Sequence, residues 1–259
     1  MTVIDPMIKP VAYIDGQAIN ILSPVDAIAR VRGHLRSGRG FTFDTLNLDH
    51  LVKRRKDAAF RAAYARATFV SADGAPVAAM ARKQAPSLRR TTGADLLRPL
   101  CGVAMHESVR VALFGSMQEV LADASVRLRA ENPGLDIVFA QSPPFGFEPS
   151  SNQADAYGAQ IAASGARLCF LCLGAPKQEI FADRMTRRYP EIGFVSVGAA
   201  VDYVVRRQIR APHAAQMLGL EWLWRLCCDP KRLAWRYVEC AALVAQILIE
   251  RRPMNRGTP

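Results

Sequence analysis

The chain has 259 residues, of which half are apolar and 22% are charged, a composition typical of a globular protein that excludes a wholly disordered one. Its formal net charge of +11 favours contact with phosphates, nucleotides, nucleic acid or an anionic membrane surface, without choosing among them. No stretch reaches the roughly 18 consecutive apolar residues of a spanning helix, and the first residues do not resemble a signal peptide. We therefore predict a cytoplasmic protein.

Six short segments with a high propensity for β structure recur along the chain, and most are separated by segments of helical periodicity. They are FTFDTL (41–46), TFVSA (68–72), VRVALFG (109–115), LDIVFA (135–140), RLCFLCLG (167–174) and GFVSVGA (193–199). Such alternation predicts an α/β fold, with a Rossmann-like, mostly parallel sheet that carries helices on both faces. Weaker periodicity near residues 85–108 predicts a division into two lobes there.

The C-terminal part of the chain is more basic than the rest. From residue 205 onward, ten Lys and Arg residues stand against four Asp and Glu residues, which gives +6 of the total charge. The segment GLEWLWRLCCDPKRLAWRYVECAALVAQILIERR predicts two helices that are separated at Asp229-Pro230, because proline suits the first turn of a helix. We predict an α/β core over residues 1–205 and a basic, helical, membrane-associating appendage over residues 206–259. A helix pair that packs on the core or in an oligomer interface is the alternative.

The cysteines and histidines show no pattern of a metal site. Cys169 and Cys172 form a C-x-x-C pair, but they lie inside an apolar strand segment, where residues three apart point to opposite faces. We interpret them as buried, reduced side chains that act as small apolar residues. The four histidines have no metal-ligand spacing, so we predict that no metal is bound.

Polar side chains follow the fifth predicted strand directly, in the segment LGAPKQE. Ligands of open α/β sheets bind beyond the carboxyl ends of the strands, where the chain turns into helices. Lys177, Gln178 and Glu179 therefore stand where a binding site is expected, and we predict that they contact a ligand.

Two other predicted strands also end in polar residues. Asp73 follows the second strand and precedes a glycine, so it can act as a general base with close access to a substrate; a turn or helix-capping role is the alternative. Thr45 and Asn47 close the first strand and either cap the next helix or bind sugar and phosphate oxygens.

The segment VGAAVDYVVRRQIRAP follows the last predicted strand. It carries Asp202 after small residues and then a basic run that ends at Arg210. Arginine suits a diphosphate because the guanidinium group matches phosphate oxygens in shape and charge. A solvated basic loop is the alternative interpretation.

Together, these segments resemble the WecG/TagA/CpsF family of glycosyltransferases (glycosyltransferase family 26). The resemblance covers about residues 12–240. It rests on an ordered set of motifs: TLNLDHLV, ADG, TTGADLL, LFGS, LGAPKQE, SVGAAVDYV, RAP and GLEWLWRLCCDPKRLAWRY.

The resemblance implies an inverting transfer of a sugar from a UDP-sugar to a polyprenyl-diphosphate-linked sugar, at the cytoplasmic face of the membrane and without a metal or other cofactor. It makes Asp73 the catalytic base, Thr45 and Asn47 polar active-site residues, and Gln178 a residue of the donor pocket. Three arginines of the C-terminal appendage are implied to meet the diphosphate and the membrane: Arg210, Arg225 and Arg232.

Two segments depart from the family pattern near the expected sugar pocket. Residues 203–206 read YVVR where the family commonly has a glycine, and Ala75-Pro76 replaces a glycine-containing turn. The donor therefore stays open among UDP-N-acetylmannosamine, its uronic acid and UDP-glucose, as do homo-oligomerisation and the polysaccharide that is made. The alternative functions are a non-catalytic scaffold of a polysaccharide assembly complex and a basic nucleic-acid-binding module. We expect no nucleic-acid partner, because no recognised binding motif is present.

Overall fold

The computed structural model describes residues 9–208, 211, 212, 215 and 221–250. These residues form eight strands and eleven helices. The strands are β1 (Ala12–Ile14), β2 (Gln17–Ile19), β3 (Phe41–Leu46), β4 (Phe69–Ala72), β5 (Val111–Gly115), β6 (Ile137–Gln141), β7 (Leu168–Cys172) and β8 (Gly193–Ser196). The helices are α1 (Pro24–Arg36), α2 (Leu48–Lys56), α3 (Ala58–Arg66), α4 (Ala75–Arg82), α5 (Gly93–His106), α6 (Gln118–Glu131), α7 (Asn152–Ala163), α8 (Lys177–Arg188), α9 (Ala200–Val204), α10 (Glu221–Cys228) and α11 (Pro230–Glu250).

Six of the strands form one sheet in the order β4-β3-β8-β7-β5-β6, and every neighbouring pair is parallel. Each of the six predicted segments overlaps one of these strands. The prediction of a Rossmann-like, mostly parallel α/β sheet with a helical C-terminal part is thus confirmed. All six strands end at the same edge of the sheet, which brings their following loops together.

Helices cover both faces of this sheet. One face packs against α1, α5, α6 and α9 through side chains such as Phe43 and Phe170. The other face lies under α7 and α8 near Phe194, and under α2, α3, α4 and α11 near Leu46. Burial on both faces explains why the strands read as continuous apolar runs.

The C-x-x-C pair illustrates this two-sided burial. Cys169 and Cys172 are both buried, neither forms a disulfide, and they belong to core clusters on opposite faces of the sheet. The interpretation of both thiols as small apolar core residues is confirmed.

A short antiparallel hairpin, β1 and β2, precedes the main sheet and was not predicted. Asp15 and Gly16 connect its strands with φ angles of 50° and 71°. An Asp-Gly pair between apolar residues is the usual signal for such a turn, so the sequence did contain the information.

The two C-terminal helices are separated at Asp229-Pro230, as predicted. Along α11, one side is buried in the core that also contains Leu51 of α2, through Cys240, Leu243 and Ile247. In the described part of the chain, no helix has the length and apolar character needed to cross a bilayer.

Candidate active site

Asp73 lies at the carboxyl edge of the sheet, beside the end of the neighbouring strand. The backbone N–H of Asp73 donates to the carbonyl oxygen of Leu46 at 2.8 Å, so the loop after β4 continues the parallel pairing with β3. The Thr45 hydroxyl donates to Asp73 Oδ2 at 3.3 Å. The sheet register therefore holds the carboxylate next to a hydroxyl donor.

A buried hydrogen-bond network holds the end of β3 in place. His50 Nδ1 lies 2.8 Å from the Thr45 carbonyl oxygen, and the Tyr64 hydroxyl donates to the same oxygen at 2.8 Å. Burial lowers the pKa of His50 to about 4, so the ring is neutral at physiological pH. Asn47 caps α2 by accepting a hydrogen bond from the His50 N–H at 3.0 Å. These contacts fix the loop that carries Thr45 and Asn47.

The larger of two neighbouring cavities has a volume of about 780 Å³ and extends along the carboxyl ends of β3, β4, β7 and β8. The first residues of α2, α5, α8 and α9 contribute to its wall. Helix N-termini present backbone N–H groups and positive dipole ends, which suits an anion. Lys53, Arg207 and Arg236 add cationic groups to the same wall.

The smaller cavity, of about 280 Å³, lies between Asp73 and the C-terminal helices. Its lining is more apolar than that of the larger cavity and includes Pro76, Trp222 and Ala241. Trp222 and Tyr237 pack edge to face with their ring centroids 5.6 Å apart. Six residues line both cavities: Asn47, Asp49, Asp73, Glu221, Arg236 and Tyr237.

Ion pairs join the C-terminal helices to the core around these cavities. Asp49 Oδ2 lies 3.0 Å from Arg236 Nη2 of α11 and 2.7 Å from Lys53 Nζ of α2. Arg90 Nη1 donates to Glu221 Oε2 of α10 at 3.1 Å. The appendage is therefore part of the wall of the candidate site.

The structure separates the three polar residues of the KQE segment. The buried Gln178 lines the larger cavity, and its Oε1 accepts hydrogen bonds from the backbone N–H groups of Gly174 and Gly198. Glu179 is fully buried below the cavity, and Lys177 is partly exposed at the start of α8. Of the three, only Gln178 contributes to the described cavity walls.

The other predicted residues lie in several places. Thr45, Asn47 and Asp73 come together as expected at the ends of neighbouring strands. Asp202, on α9, is absent from both described cavity walls. Three predicted arginines fall outside the described residues: Arg210 as a whole, and Arg225 and Arg232 with their side chains.

The sequence interpretation missed several residues of these walls, among them Lys53, Trp222, Arg236 and Tyr237. Arg236 stands four residues after Arg232, so helical spacing alone would have indicated a second basic residue on that side of the helix. The position of Lys53 had no comparable signal, because it lies on the second turn of α2.

Among the residues that the structure describes, no group of three or more His, Cys, Asp or Glu side chains is arranged to hold a metal ion. The wall of the larger cavity contains three cationic side chains and four acids, Asp49, Asp73, Glu221 and Asp229, beside the helix N-termini.

The comparison with known families agrees with this architecture. The model of the "Glycosyl transferase WecG/TagA/CpsF family" matches residues 12–257, which is nearly the whole chain. The match includes the sheet, the cavity walls and both C-terminal helices. The chain therefore belongs to the WecG/TagA/CpsF family of glycosyltransferases.

Proposed function

We propose that this protein is an inverting glycosyltransferase that moves a hexose or N-acetylhexosamine from a UDP-sugar to a polyprenyl-diphosphate-linked sugar, in exopolysaccharide or cell-surface glycan assembly. Family membership supports glycosyl transfer. The observation that carries the finer proposal is that Asp73, which accepts a hydrogen bond from Thr45 where β3 and β4 end, lies in the walls of two adjacent cavities of different character.

The larger cavity suits the nucleotide donor. Its volume of about 780 Å³ lies within the usual range for a pocket that encloses an organic ligand. A diphosphate needs positive charge and N–H donors, which Arg207 and the helix N-termini supply, and Lys53 and Arg236 can contribute by exchanging their shared partner Asp49 for the phosphates. The proposal needs no metal, because these groups can balance the charge of the leaving UDP.

The smaller cavity suits the acceptor. Aromatic rings such as those of Trp222 and Tyr237 offer an apolar surface with a polar edge, which matches a sugar ring. Pro76 and Ala241 provide apolar contacts for the lipid that follows the diphosphate. Arg90 and Arg236 lie in the same wall and can meet the acceptor phosphates.

In the proposed reaction, the acceptor hydroxyl oxygen forms a bond with the anomeric carbon while the bond from that carbon to the UDP oxygen breaks. Asp73 accepts the hydroxyl proton, and Thr45 orients the carboxylate through its hydrogen bond. A positioned base typically contributes about 10²- to 10⁴-fold to the rate. Attack from the side opposite UDP inverts the anomeric centre.

Exposed apolar side chains on the outer side of α11 favour peripheral association of the protein with the inner face of the plasma membrane. Trp235 is 72% exposed and Val238 is 56% exposed, although both are large apolar side chains. Basic residues near an anionic surface contribute about 1 kcal/mol each, and an amphipathic helix can lie in the interface. A lipid-linked acceptor would then approach the smaller cavity from the membrane.

The test is UDP release by the full-length protein with a panel of UDP-sugars and a short polyprenyl-diphosphate-sugar acceptor. We expect acceptor-dependent release with one donor and its loss in Asp73→Asn. Asp136→Asn is a matched control, because this exposed carboxyl precedes β6 at the opposite edge of the sheet. Equal rates in wild type and Asp73→Asn would refute the assigned base, and no UDP binding would refute the proposed donor.

A further inference from the structure

The amide of Gln178 connects two loops of the larger cavity. Its Oε1 accepts hydrogen bonds from the N–H groups of Gly174 and Gly198, each at 3.2 Å. Gly174 follows β7 and Gly198 follows β8, and both have the left-handed backbone that glycine adopts at least cost, with φ angles of 75° and 55°. The position of this one amide therefore affects the backbone N–H groups of two strand ends.

Two acids lie buried below that amide. Glu179 is fully buried, its Oε1 accepts a hydrogen bond from Gln178 Nε2 at 3.0 Å, and its Oε2 has no hydrogen-bond partner among the described residues. Asp44, on β3, is also buried, and its Oδ1 accepts a hydrogen bond from the Ser196 hydroxyl at 2.6 Å. Hydrogen bonds thus connect both acids to the walls of the cavity: Glu179 through Gln178 and Asp44 through Ser196.

Burial and mutual repulsion disfavour two negative charges at this place. Burial raises the pKa of Asp44 to about 7, and burial together with the Asp44 charge raises the pKa of Glu179 to about 8. The Ser196 hydroxyl favours a charged Asp44, so one negative charge on the pair is satisfied by hydrogen bonding. A second charge, on Glu179, would be met by the Gln178 amide at Oε1 but would leave the buried Oε2 without a hydrogen-bond partner among the described residues.

The charged and titratable groups around the pair do not neutralise it. Asp183 of α8 adds a negative charge, but Arg66 pairs with both of its oxygens at 2.7 Å. Lys53 of α2 faces Glu179 but forms its ion pair with Asp49. The Tyr64 phenol of α3 is neutral, because burial and the nearby acids raise its pKa.

We propose that Asp44 and Glu179 act as one acid pair that holds a single proton while the donor is bound, and that Glu179 positions Gln178 and, through it, the loops at Gly174 and Gly198. Glu179 is then a positioning residue that does not touch the substrate. This inference rests on the proposed function, because it assigns the donor diphosphate to the cavity above the pair.

Binding of a diphosphate adds negative charge above the pair and so further disfavours its second ionisation. At a pH where the pair is protonated in only part of the molecules, donor binding must therefore be accompanied by uptake of protons from solution. By linkage, the affinity for UDP falls as pH rises through the titration of the pair, by up to about tenfold per pH unit for one linked proton.

The experiment is calorimetric titration with UDP at pH 8, in two buffers that differ in ionisation enthalpy, which counts the protons taken up per UDP bound. The terminal phosphate of UDP has a second pKa near 6 and is fully ionised there. We expect uptake of a measurable fraction of a proton by the wild type and a clearly smaller fraction by Glu179→Gln, in which only Asp44 can take up the proton. Glu191→Gln, at an exposed acid before β8, is the matched control and should retain the wild-type value.

Binding of UDP with the same uptake in wild type and Glu179→Gln would overturn the acid pair and leave the proposed function intact. No binding of UDP at pH 6.5 would refute the proposed function and the coupling with it. If Glu179→Gln does not fold, the wild type alone decides, because a Kd for UDP that stays constant between pH 6.5 and 9 contradicts the inference.

Discussion

The docking of helix α11 on the core is the contact on which both cavities depend. Four apolar side chains of α11 are buried: Leu233, Cys240, Leu243 and Ile247. At about 1.5–3 kcal/mol for each fully buried large apolar side chain, the set contributes on the order of 5–10 kcal/mol to docking. Replacing Leu243 and Ile247 with alanine costs about 2–5 kcal/mol each, a sum that is comparable with the whole of that stabilisation.

We expect this double variant to release α11 from α2 and with it Arg236 and Tyr237, which line both cavities. Trypsin should then cleave after Lys231 and Arg236 faster than in wild type, and acceptor-dependent UDP release in detergent should fall at least tenfold. The control is Val238→Ala with Ile249→Ala, two exposed positions of the same helix. It should retain wild-type protease resistance and activity in detergent.

Wild-type resistance and activity in the Leu243→Ala, Ile247→Ala variant would refute the reasoning, because the site would then not need the docked helix. The control pair has its own expected effect. If the outer side of α11 meets the membrane, its variant should sediment less with anionic vesicles while it keeps its activity in detergent.

Three further predictions concern the carboxylates and His50. Asp73→Asn should lower turnover about 10²- to 10⁴-fold with unchanged UDP affinity, measured by steady-state kinetics and calorimetry; a loss of UDP affinity alone would contradict the assigned role. The pKa of Glu179 rises from 4.5 in the unfolded chain to about 8, so the free energy of unfolding should fall by a few kcal/mol between pH 5 and 8; denaturant titrations of Glu179→Gln should show a smaller fall, which Asp44 alone causes. The pKa of His50 drops from 6.5 to about 4, so stability should decline by about 3 kcal/mol as pH falls through that range, and less in His50→Gln.

The hydrogen bonds of Gln178 give the KQE segment a structural role in addition to the predicted contact with a ligand. The sequence places three polar residues at the end of a strand and predicts that each contacts a ligand. In the fold, the Gln178 oxygen is committed to two backbone N–H groups, and Glu179 lies beneath it. The segment shapes the backbone N–H groups of the cavity as well as lining it, so a substitution there would change the loops after β7 and β8 together.

Local sequence determined the strands and several of their details. Apolar runs of four to six residues specify buried strands, and the two-residue period of a strand places Cys169 and Cys172 on opposite faces. The break at Asp229-Pro230 follows from the chemistry of proline at a helix start. The candidacy of Thr45, Asn47 and Asp73 also follows from sequence, because polar residues directly after buried strands must lie at the ligand-binding edge.

Only the tertiary structure decided which of these strand ends meet. The order β4-β3-β8-β7-β5-β6 places Asp73 beside Thr45 and puts the loop at Gly198 next to both neighbouring strand ends. The docking of α11 on α2 brings Arg236 to the cavities, and the packing of α8 on β3 buries Glu179 with Asp44. Strand order and helix docking depend on packing between residues far apart in the chain, and such packing leaves no local pattern in the sequence.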